Sequence, residues 1–276
     1  MIIWLASYPK SGNTWLRILI GQLISDNNDK NNFYKNSKKI LNYPEIKFFK
    51  ELVKDHTDRA EIVKNWINSQ NILCLKSETQ ILKTHNMLGS FGKYAFTNSD
   101  LTSGVIHVVR DPRNVVSSVK NHFSFKDINE AKEFMFKKDA WIHGENRVDT
   151  FISSWGYNYI SWKSFKKNYL LIKYEDLIEN TRREVIKVSN YLKQFFEIKV
   201  KESEIDQIIE NASFENLQKI ESKGEFNENT KNTNTGEKNK FFRLGASNDW
   251  KSSLNKTVVD EIEKEFSNEM KELGYL

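Results

Sequence analysis

The sequence is poor in cysteine, since Cys74 is the only cysteine among 276 residues. A single cysteine excludes a disulfide within the chain and cannot build a cysteine-based metal cluster. Cys74 lies in the apolar run 72–75, which predicts a buried thiol rather than a nucleophile. Cysteine usage therefore indicates a reducing compartment and gives no sign of a metal site.

Long hydrophobic runs are also missing. No apolar stretch approaches the roughly 18 residues that a membrane-spanning helix needs. The apolar run 2–7 at the N-terminus has no basic region before it, unlike a signal peptide. These features predict a cytoplasmic protein without a membrane span.

The excess of positive charge is small, with 42 Lys and Arg against 37 Asp and Glu. The basic residues are spread along the chain, without the dense basic block that is typical of nucleic-acid binding. A mild excess of this kind is typical of an ordinary solvated surface. We therefore predict no nucleic-acid partner, and only motifs can support a site for a small anion.

Short apolar runs alternate with segments of helical spacing. Buried strands are predicted at 2–7, 80–84, 105–109 and 169–173. Helices are predicted at 14–24, 58–68, from Pro112 onward, and at 130–166, 184–196, 204–211 and 256–273. Strand–helix alternation predicts an α/β fold with three α/β/α layers and a central, mostly parallel sheet.

We expect one domain over residues 1–276. Two polar segments interrupt the pattern of strands and helices. Residues 26–56, rich in Asn, Lys and Asp, are predicted to be an irregular excursion that forms a variable lid. Residues 221–240 are a polar tract that we interpret as a mobile loop rather than a domain linker.

A glycine-containing loop joins the first strand to the first helix. Its residues are Tyr8, Pro9, Lys10, Ser11, Gly12, Asn13, Thr14 and Trp15. Free backbone N–H groups and the positive end of the helix dipole attract an anion to such a loop. A Walker A loop places its Lys after the second Gly, whereas Lys10 precedes Gly12. Taken alone, this composition is more often a generic turn.

Two further candidates come at the ends of predicted strands. Arg110 ends a strand, where open α/β sheets bind their ligands, and Ser118 lies about two turns into the next helix. Lys83 and His85 lie at the end of another strand, and a histidine there can take a proton from a substrate. Each pattern alone also fits residues with purely structural roles.

Three more segments complete the set. Tyr174 begins Tyr-Glu-Asp after a strand, and Ser213 precedes Phe214. The third segment reads Phe241-x-Arg243-Leu244-Gly245, and a neighbouring Arg and Gly suit phosphate capture by side chain and backbone together.

The six segments, in this order, resemble the cytosolic-type, PAPS-dependent sulfotransferase family along nearly the whole chain. The resemblance implies a P-loop-NTPase-like fold without a metal. It also implies 3'-phosphoadenosine-5'-phosphosulfate (PAPS) as donor, released as adenosine 3',5'-bisphosphate (PAP). The donor-binding residues it implies are Lys10, Ser11, Gly12, Asn13, Thr14, Trp15, Arg110, Ser118, Tyr174, Ser213, Phe214, Phe241, Arg243, Leu244 and Gly245.

The family pattern also implies roles. His85 takes the proton of the acceptor, Lys10 stabilises the leaving oxygen, and Lys83 supports the transferred sulfuryl group. Gly12 and Thr14 hold the 5'-phosphate. The adenine is assigned to Trp15, Phe214 and Tyr174, and the 3'-phosphate to Arg110, Ser118, Arg243 and the backbone of Gly245.

Four residues depart from the family pattern. Asn13 replaces a Thr, Ala212 a Thr, Leu244 a Lys, and Asn248 a Gly. Because the main anchors are kept, we expect these changes to affect donor affinity more than the type of reaction.

Two other functions stay open. A nucleotide kinase or NTPase predicts a Walker A loop and an acidic Mg²⁺ ligand, and neither pattern is clear. A non-catalytic nucleotide-binding relative predicts loss of His85 or Lys10, which are both present. The acceptor is expected to be a hydroxyl or amine of a small molecule or glycan, with Phe123, Phe136 and Trp141 as guesses for its pocket. The sequence does not determine the oligomeric state.

Overall fold

The computed structural model describes residues 1–25, 33–76, 79–143, 148–226, 228–230, 236–245 and 248–276. They form two compact units. The first contains residues 1–13, 38–109 and 137–172, and the second contains residues 14–37, 110–136 and 173–276. The single sulfotransferase-like domain expected from the sequence stays a prediction.

The described residues contain a five-stranded sheet and two short hairpins. The strands are β1 Ile2–Ser7, β2 Leu41–Asn42, β3 Gln80–Thr84, β4 Ser90–Phe91, β5 Tyr94–Ala95, β6 Thr102–Val109, β7 Trp141–Ile142, β8 Thr150–Phe151 and β9 Tyr169–Lys173. The sheet order is β2-β3-β1-β6-β9, and β4-β5 and β7-β8 are the hairpins. The pairs β1–β3, β1–β6 and β2–β3 are parallel. The predicted strands and their mostly parallel arrangement are confirmed.

Helices occupy much of the remaining described chain. They are α1 Asn13–Leu23, α2 Phe33–Ser37, α3 Arg59–Lys64, α4 Trp66–Lys76, α5 Pro112–Phe123, α6 Ile128–Phe136, α7 Trp155–Lys163, α8 Tyr174–Glu179, α9 Thr181–Leu192, α10 Ile205–Asn211, α11 Phe214–Ser222, α12 Trp250–Ser253, α13 Lys256–Glu265 and α14 Ser267–Leu273. Side-chain caps fix several starts. Asp58 accepts from the N–H groups of Ala60 and Glu61, and Asp111 accepts from that of Arg113.

The central strands are buried on both faces, as expected for a parallel sheet covered by other elements. Every residue of β1 and β6 is buried. Aromatic rings dominate the core of the first unit, where Trp4 contacts Tyr43, Phe96 and Trp162. The indole N–H of Trp4 donates to Thr102 Oγ1 at 3.0 Å, so this buried donor is satisfied.

The predicted helix over 130–166 is wrong in its middle. Helix α6 ends at Phe136, the β7–β8 hairpin follows, and α7 begins at Trp155. Ser153 has a left-handed φ of 58° directly before α7, and Ser154 caps this helix by accepting from the Tyr157 N–H. Residues 144–147, within the predicted helix, lie outside the described residues.

The segment 26–56 is not an irregular excursion where it is described. It contains α2 and strand β2, and Tyr43, Phe49 and Val53 are buried in the core. The buried apolar side chains are scattered among Asn, Lys and Asp, so the overall polar composition of the segment concealed them. Residues 26–32 lie outside the described residues, and the lid stays a prediction.

Two smaller expectations also need correction, and a third, the mobile loop at 221–240, stays a prediction. The helix predicted over 58–68 is two helices, α3 and α4, separated at Asn65. Cys74 is half-buried rather than buried, because α4 extends past it toward solvent and Leu75 is 87% exposed. In the tract 221–240, Phe226 is buried, while residues 227 and 231–235 lie outside the described residues.

Stability is expected to fall in acid because of His107 in β6. Its ring nitrogen lies 2.8 Å from Tyr169 Oη, and burial lowers the pKa of His107 to about 3. Below pH 6.5 the histidine is protonated in the unfolded chain, where its pKa is near 6.5, but stays neutral in the native state. The free energy of unfolding therefore decreases as pH falls below 6.5. Between pH 7 and pH 5 wild type should lose about 2 kcal/mol more than His107→Gln in urea unfolding. Parallel pH curves for the two proteins would contradict this prediction.

Candidate functional site

The loop after β1 has a special backbone. Lys10 has a φ of 67° and Gly12 a φ of 101°, so both lie in the left-handed region. Glycine adopts this conformation freely, whereas for a lysine it is uncommon and is typical of ligand-binding turns. The loop turns sharply before α1, so the first backbone N–H groups of this helix are in a position suited to binding an anion.

Buried polar atoms in this loop point to a ligand. Ser11 is fully buried, and among the described residues its Oγ has no hydrogen-bond partner. The same is true of Tyr8 Oη, and burial raises the pKa of Tyr8 so that it stays a neutral phenol. Buried hydroxyls are normally hydrogen-bonded. The loop therefore has donors suited to an anionic group.

Asn13 ties the loop to the strand that precedes it. Its Nδ2 donates to the Leu5 carbonyl and to Ser7 Oγ, both at 3.1 Å. A threonine hydroxyl has one proton to donate, whereas the amide has two. This difference gives a physical reason for Asn at this position, and its side-chain donors serve the protein itself.

His85 follows β3 and is fixed by the end of β1. Its Nδ1 lies 2.9 Å from the Ser7 carbonyl oxygen and 3.2 Å from Ser7 Oγ. A carbonyl oxygen only accepts, so Nδ1 carries the proton and Nε2 keeps its lone pair. The His85 carbonyl accepts from Asn158 Nδ2 at 3.1 Å. The half-buried ring is therefore held in the tautomer of a base.

Lys83 shares the strand end with His85. Lys83 is the last residue but one of β3 and is 7% exposed, and His85 comes directly after the strand. In the β1–β3 register Leu5 pairs with Lys83 and Ala6 with Thr84. The Lys10 loop and His85 therefore leave the sheet at the same edge, as predicted. Arg110 follows directly on Val109, the last residue of β6.

In the second unit, three successive contacts connect Arg110, Tyr174, Trp15 and Ala212. The Arg110 guanidinium carbon lies 4.3 Å from the Tyr174 ring centroid. Tyr174 packs edge-on against Trp15, with 6.0 Å between ring centroids, and Trp15 Nε1 donates to the Ala212 carbonyl at 3.0 Å. Burial raises the pKa of Tyr174, and the nearby Arg110 offsets part of this rise.

Phe214 and Gly245 are also in contact. Gly245 has a φ of 52°, and a Cβ added there would lie 2.8 Å from Phe214 Cε2. Glycine is thus required both by the backbone and by the ring above it. Ser213 precedes α11 without a side-chain cap bond.

Residues 2–274 of the chain match the sulfotransferase domain family. The chain belongs to this family. It is 26% identical to 3-beta-hydroxysteroid sulfotransferase of Cavia porcellus, over 96% of this chain and 82% of the relative. It is 27% identical to sulfotransferase 2A1 of Macaca fascicularis, over 97% and 83%. It is 24% identical to luciferin sulfotransferase of Photinus pyralis, over 93% and 68%.

Solved structures share the fold of this sulfotransferase. Mouse sulfotransferase SULT7A1 complexed with PAP matches with a TM-score of 0.61 and 21% identity, over 98% of this chain and 84% of that one. Retinol dehydratase in complex with androsterone and inactive cofactor PAP matches with a TM-score of 0.61 and 18% identity, over 98% and 80%. The predicted P-loop-like α/β fold is confirmed.

The expected 3'-phosphate residues of the sulfotransferase lie on separate segments of the second unit. Ser118 on α5 is half-buried, and Asn248 Nδ2 lies 3.4 Å from its Oγ and 2.9 Å from the Asn114 carbonyl. Asn248 therefore connects α5 to the start of α12. Arg243 and Leu244 are exposed. Convergence of Arg110, Ser118 and Arg243 on one phosphate stays a prediction.

Glu221 was missed by sequence reasoning. Its carboxylate accepts from the backbone N–H of Phe241 at 2.5 Å and of Phe242 at 3.0 Å. The Phe241 ring packs on Phe226 and Phe242. These contacts hold the chain directly before Arg243. A lone Glu in a polar tract gives no sequence signal for this role.

Arg17 and Glu228 were also missed. Thr14 Oγ1 donates to Glu228 Oε2 at 2.9 Å, and Arg17 forms an ion pair with the same carboxylate. Glu228 is far from α1 in sequence, so no local pattern indicates this contact.

The three guesses for the acceptor pocket pack against other rings. Phe123 contacts Phe134, and Phe136 contacts Phe266. Trp141 packs at a tilt on Phe151 across the β7–β8 hairpin, with 4.8 Å between ring centroids.

Two further kinds of feature are absent from the described ranges. Within them, no group of three or more His, Cys, Asp or Glu side chains is placed to hold a metal ion. No described helix combines the length and the apolar character needed to cross a bilayer.

Proposed function

We propose that this sulfotransferase domain transfers the sulfuryl group of PAPS to a hydroxyl or amine by in-line displacement, with His85 as general base. The observation that carries the proposal is the hydrogen bond from His85 Nδ1 to the Ser7 carbonyl. It leaves Nε2 as the basic atom, at the sheet edge that also carries the Lys10 loop. A base with this tautomer is what proton removal from an acceptor requires.

The residues present fit the donor. Ser11 Oγ is a buried hydroxyl suited to a phosphate oxygen. Gly245 lies directly against the Phe214 ring, and this contact holds together two residues that the family pattern assigns to the nucleotide. Arg110 is buried and stacked on Tyr174, which supports a bidentate role toward phosphate.

Each group has a defined part in the chemistry. When bound, PAPS supplies the sulfuryl group that moves. His85 Nε2 accepts the proton of the acceptor, and Lys10 donates to the oxygen that leaves with the nucleotide. Lys83 neutralises charge on the oxygens of the transferred group. Positioning and electrostatics of this kind account for most of the catalysis of group transfer between oxygens.

The acceptor is proposed to be a small molecule. The names of two relatives identify a hydroxysteroid and luciferin as what those proteins sulfonate. For this chain we propose the broader class of hydroxyl or amine acceptors, including glycans, and a cytoplasmic location.

Thermal unfolding with nucleotides tests the proposal. PAP at 100 times its dissociation constant should stabilise the native state by about 2.7 kcal/mol. ATP with Mg²⁺ at the same concentration should stabilise it far less. Labelled PAPS should then transfer label to at least one class among alcohols, phenols, amines and glycans. Preference for ATP with Mg²⁺ would indicate a P-loop kinase instead. PAP binding without transfer to any class would indicate a non-catalytic relative.

A further inference from the structure

A carboxylate of the protein itself occupies two anion-binding groups of α1. Thr14 Oγ1 donates to Glu228 Oε2 at 2.9 Å, and Arg17 forms an ion pair with Oε1 of the same side chain. Thr14 and Arg17 are each 5% exposed. They are three residues apart, and therefore lie on one face of the first turns of α1. The two groups thus converge on one negative charge.

The surroundings favour an anion at this point. α1 runs from Asn13 to Leu23, so Thr14 and Arg17 lie near its N-terminal, positive end. A buried hydroxyl and a buried guanidinium that share a carboxylate reproduce the donor set used to bind phosphate. Thr14 also belongs to the loop for which the family pattern implies a contact with the 5'-phosphate.

We propose that Arg17 is a further donor-binding residue for the 5'-phosphate of the nucleotide, and that Glu228 is an internal anion which the phosphate displaces. This inference rests on the proposed function, because it needs a nucleotide 5'-phosphate at Thr14. Glu228 sets the donor affinity: it keeps Arg17 paired without ligand and competes with the ligand for it.

The phosphate has an advantage in this competition. The terminal 5'-phosphate of PAP carries about 1.5 to 2 negative charges with three acceptor oxygens, whereas a carboxylate has one charge and two oxygens. Arg17 can bind a phosphate through two parallel N–H groups, as it does a carboxylate. Displacement therefore exchanges one ion pair for a stronger one.

The chain around Glu228 is anchored without its carboxylate. Phe226 is buried and packs on Tyr34, Phe241 and Phe242. Asn229 Nδ2 donates to Glu221 Oε1 at 2.6 Å. The carboxylate can therefore leave Thr14 and Arg17 while its segment stays folded.

Calorimetry on the full chain with two probes tests the inference. Glu228→Gln keeps the shape of the side chain and removes its charge, so PAP should bind about threefold to tenfold more tightly. Adenosine 3'-monophosphate, which lacks the 5'-phosphate, should bind equally to wild type and variant. Glu225→Gln is the matched control, since Glu225 is exposed and lies three residues away. It should leave both affinities unchanged.

The role of Arg17 is tested in the Glu228→Gln background. Adding Arg17→Lys, which keeps the charge but removes the paired N–H groups, should weaken PAP binding by about fivefold without affecting adenosine 3'-monophosphate. Melting temperatures report folding of each variant. A Glu228→Gln protein with lower melting temperature and unchanged or weaker PAP binding would show a structural ion pair and overturn the inference. If wild type did not bind PAP at all, the proposed function would fail, and this inference with it.

Discussion

Replacing His85 with alanine is expected to lower the single-turnover rate of sulfuryl transfer by about a hundredfold or more, which is the usual contribution of a positioned general base. The affinity for PAP should stay within about twofold, because the imidazole is assigned to the acceptor and not to the nucleotide. The reason lies in the ring orientation, since the Nδ1 bond to the Ser7 carbonyl leaves only Nε2 to take a proton.

His85→Asn separates positioning from proton transfer. The asparagine amide keeps a donor toward the Ser7 carbonyl but has no group equivalent to Nε2. We expect it to fold like wild type and to be as slow as His85→Ala. His56→Ala is the control, since His56 has no assigned role and should keep full turnover. A folded His85→Asn protein with normal turnover would remove His85 as base while leaving a sulfotransferase with another base.

Arg110→Ala is expected to weaken PAP binding by at least about tenfold, because one charged hydrogen bond to phosphate contributes roughly 1.5–3 kcal/mol. Arg110 is 6% exposed and its guanidinium lies on the Tyr174 ring, so little ordering is needed when a phosphate binds. Arg110→Lys should recover only part of the loss, since lysine lacks the planar pair of donors.

The choice of nucleotide locates the effect of Arg110. Adenosine 5'-monophosphate has no 3'-phosphate, so its affinity should respond little to Arg110→Ala. Arg182→Ala is a suitable control, because Arg182 lies in the same unit, its side chain is 42% exposed, and it pairs with Glu202 and Asp206. Equal losses for both nucleotides would assign Arg110 to the base or to the stability of the fold, and unchanged PAP affinity would remove it from the site.

The sequence was sufficient for the parts of the fold governed by local patterns. Strands β1, β3, β6 and β9 are short apolar runs. Because segments with helical spacing lie between them, these runs could be interpreted only as buried strands. Parallel pairing then brings the strand ends to one edge, which is why the Lys10 loop and His85 were correctly predicted to leave the sheet at the same edge.

Long-range contacts were beyond the sequence. The Glu228 carboxylate reaches Thr14 and Arg17 across more than 200 positions, and no periodicity reports such a contact. The β7–β8 hairpin could not be predicted because its aromatic residues fit a helix and a strand alike. Cross-strand pairing of Trp141 with Phe151 stabilises the strand conformation. Asn13 looked like a weakened ligand until its amide was seen to donate to Leu5 and Ser7.

The placement of the tryptophans has a spectroscopic consequence. Four of them are at most 2% exposed: Trp4, Trp66, Trp155 and Trp162. Their indoles are screened from water, so their emission should be blue-shifted and insensitive to small molecules outside the core. Trp15 is half-buried beside Tyr174, and the family pattern assigns both residues to the adenine. Quenching upon nucleotide addition, lost in Trp15→Phe, would therefore make this indole a built-in optical reporter of occupancy.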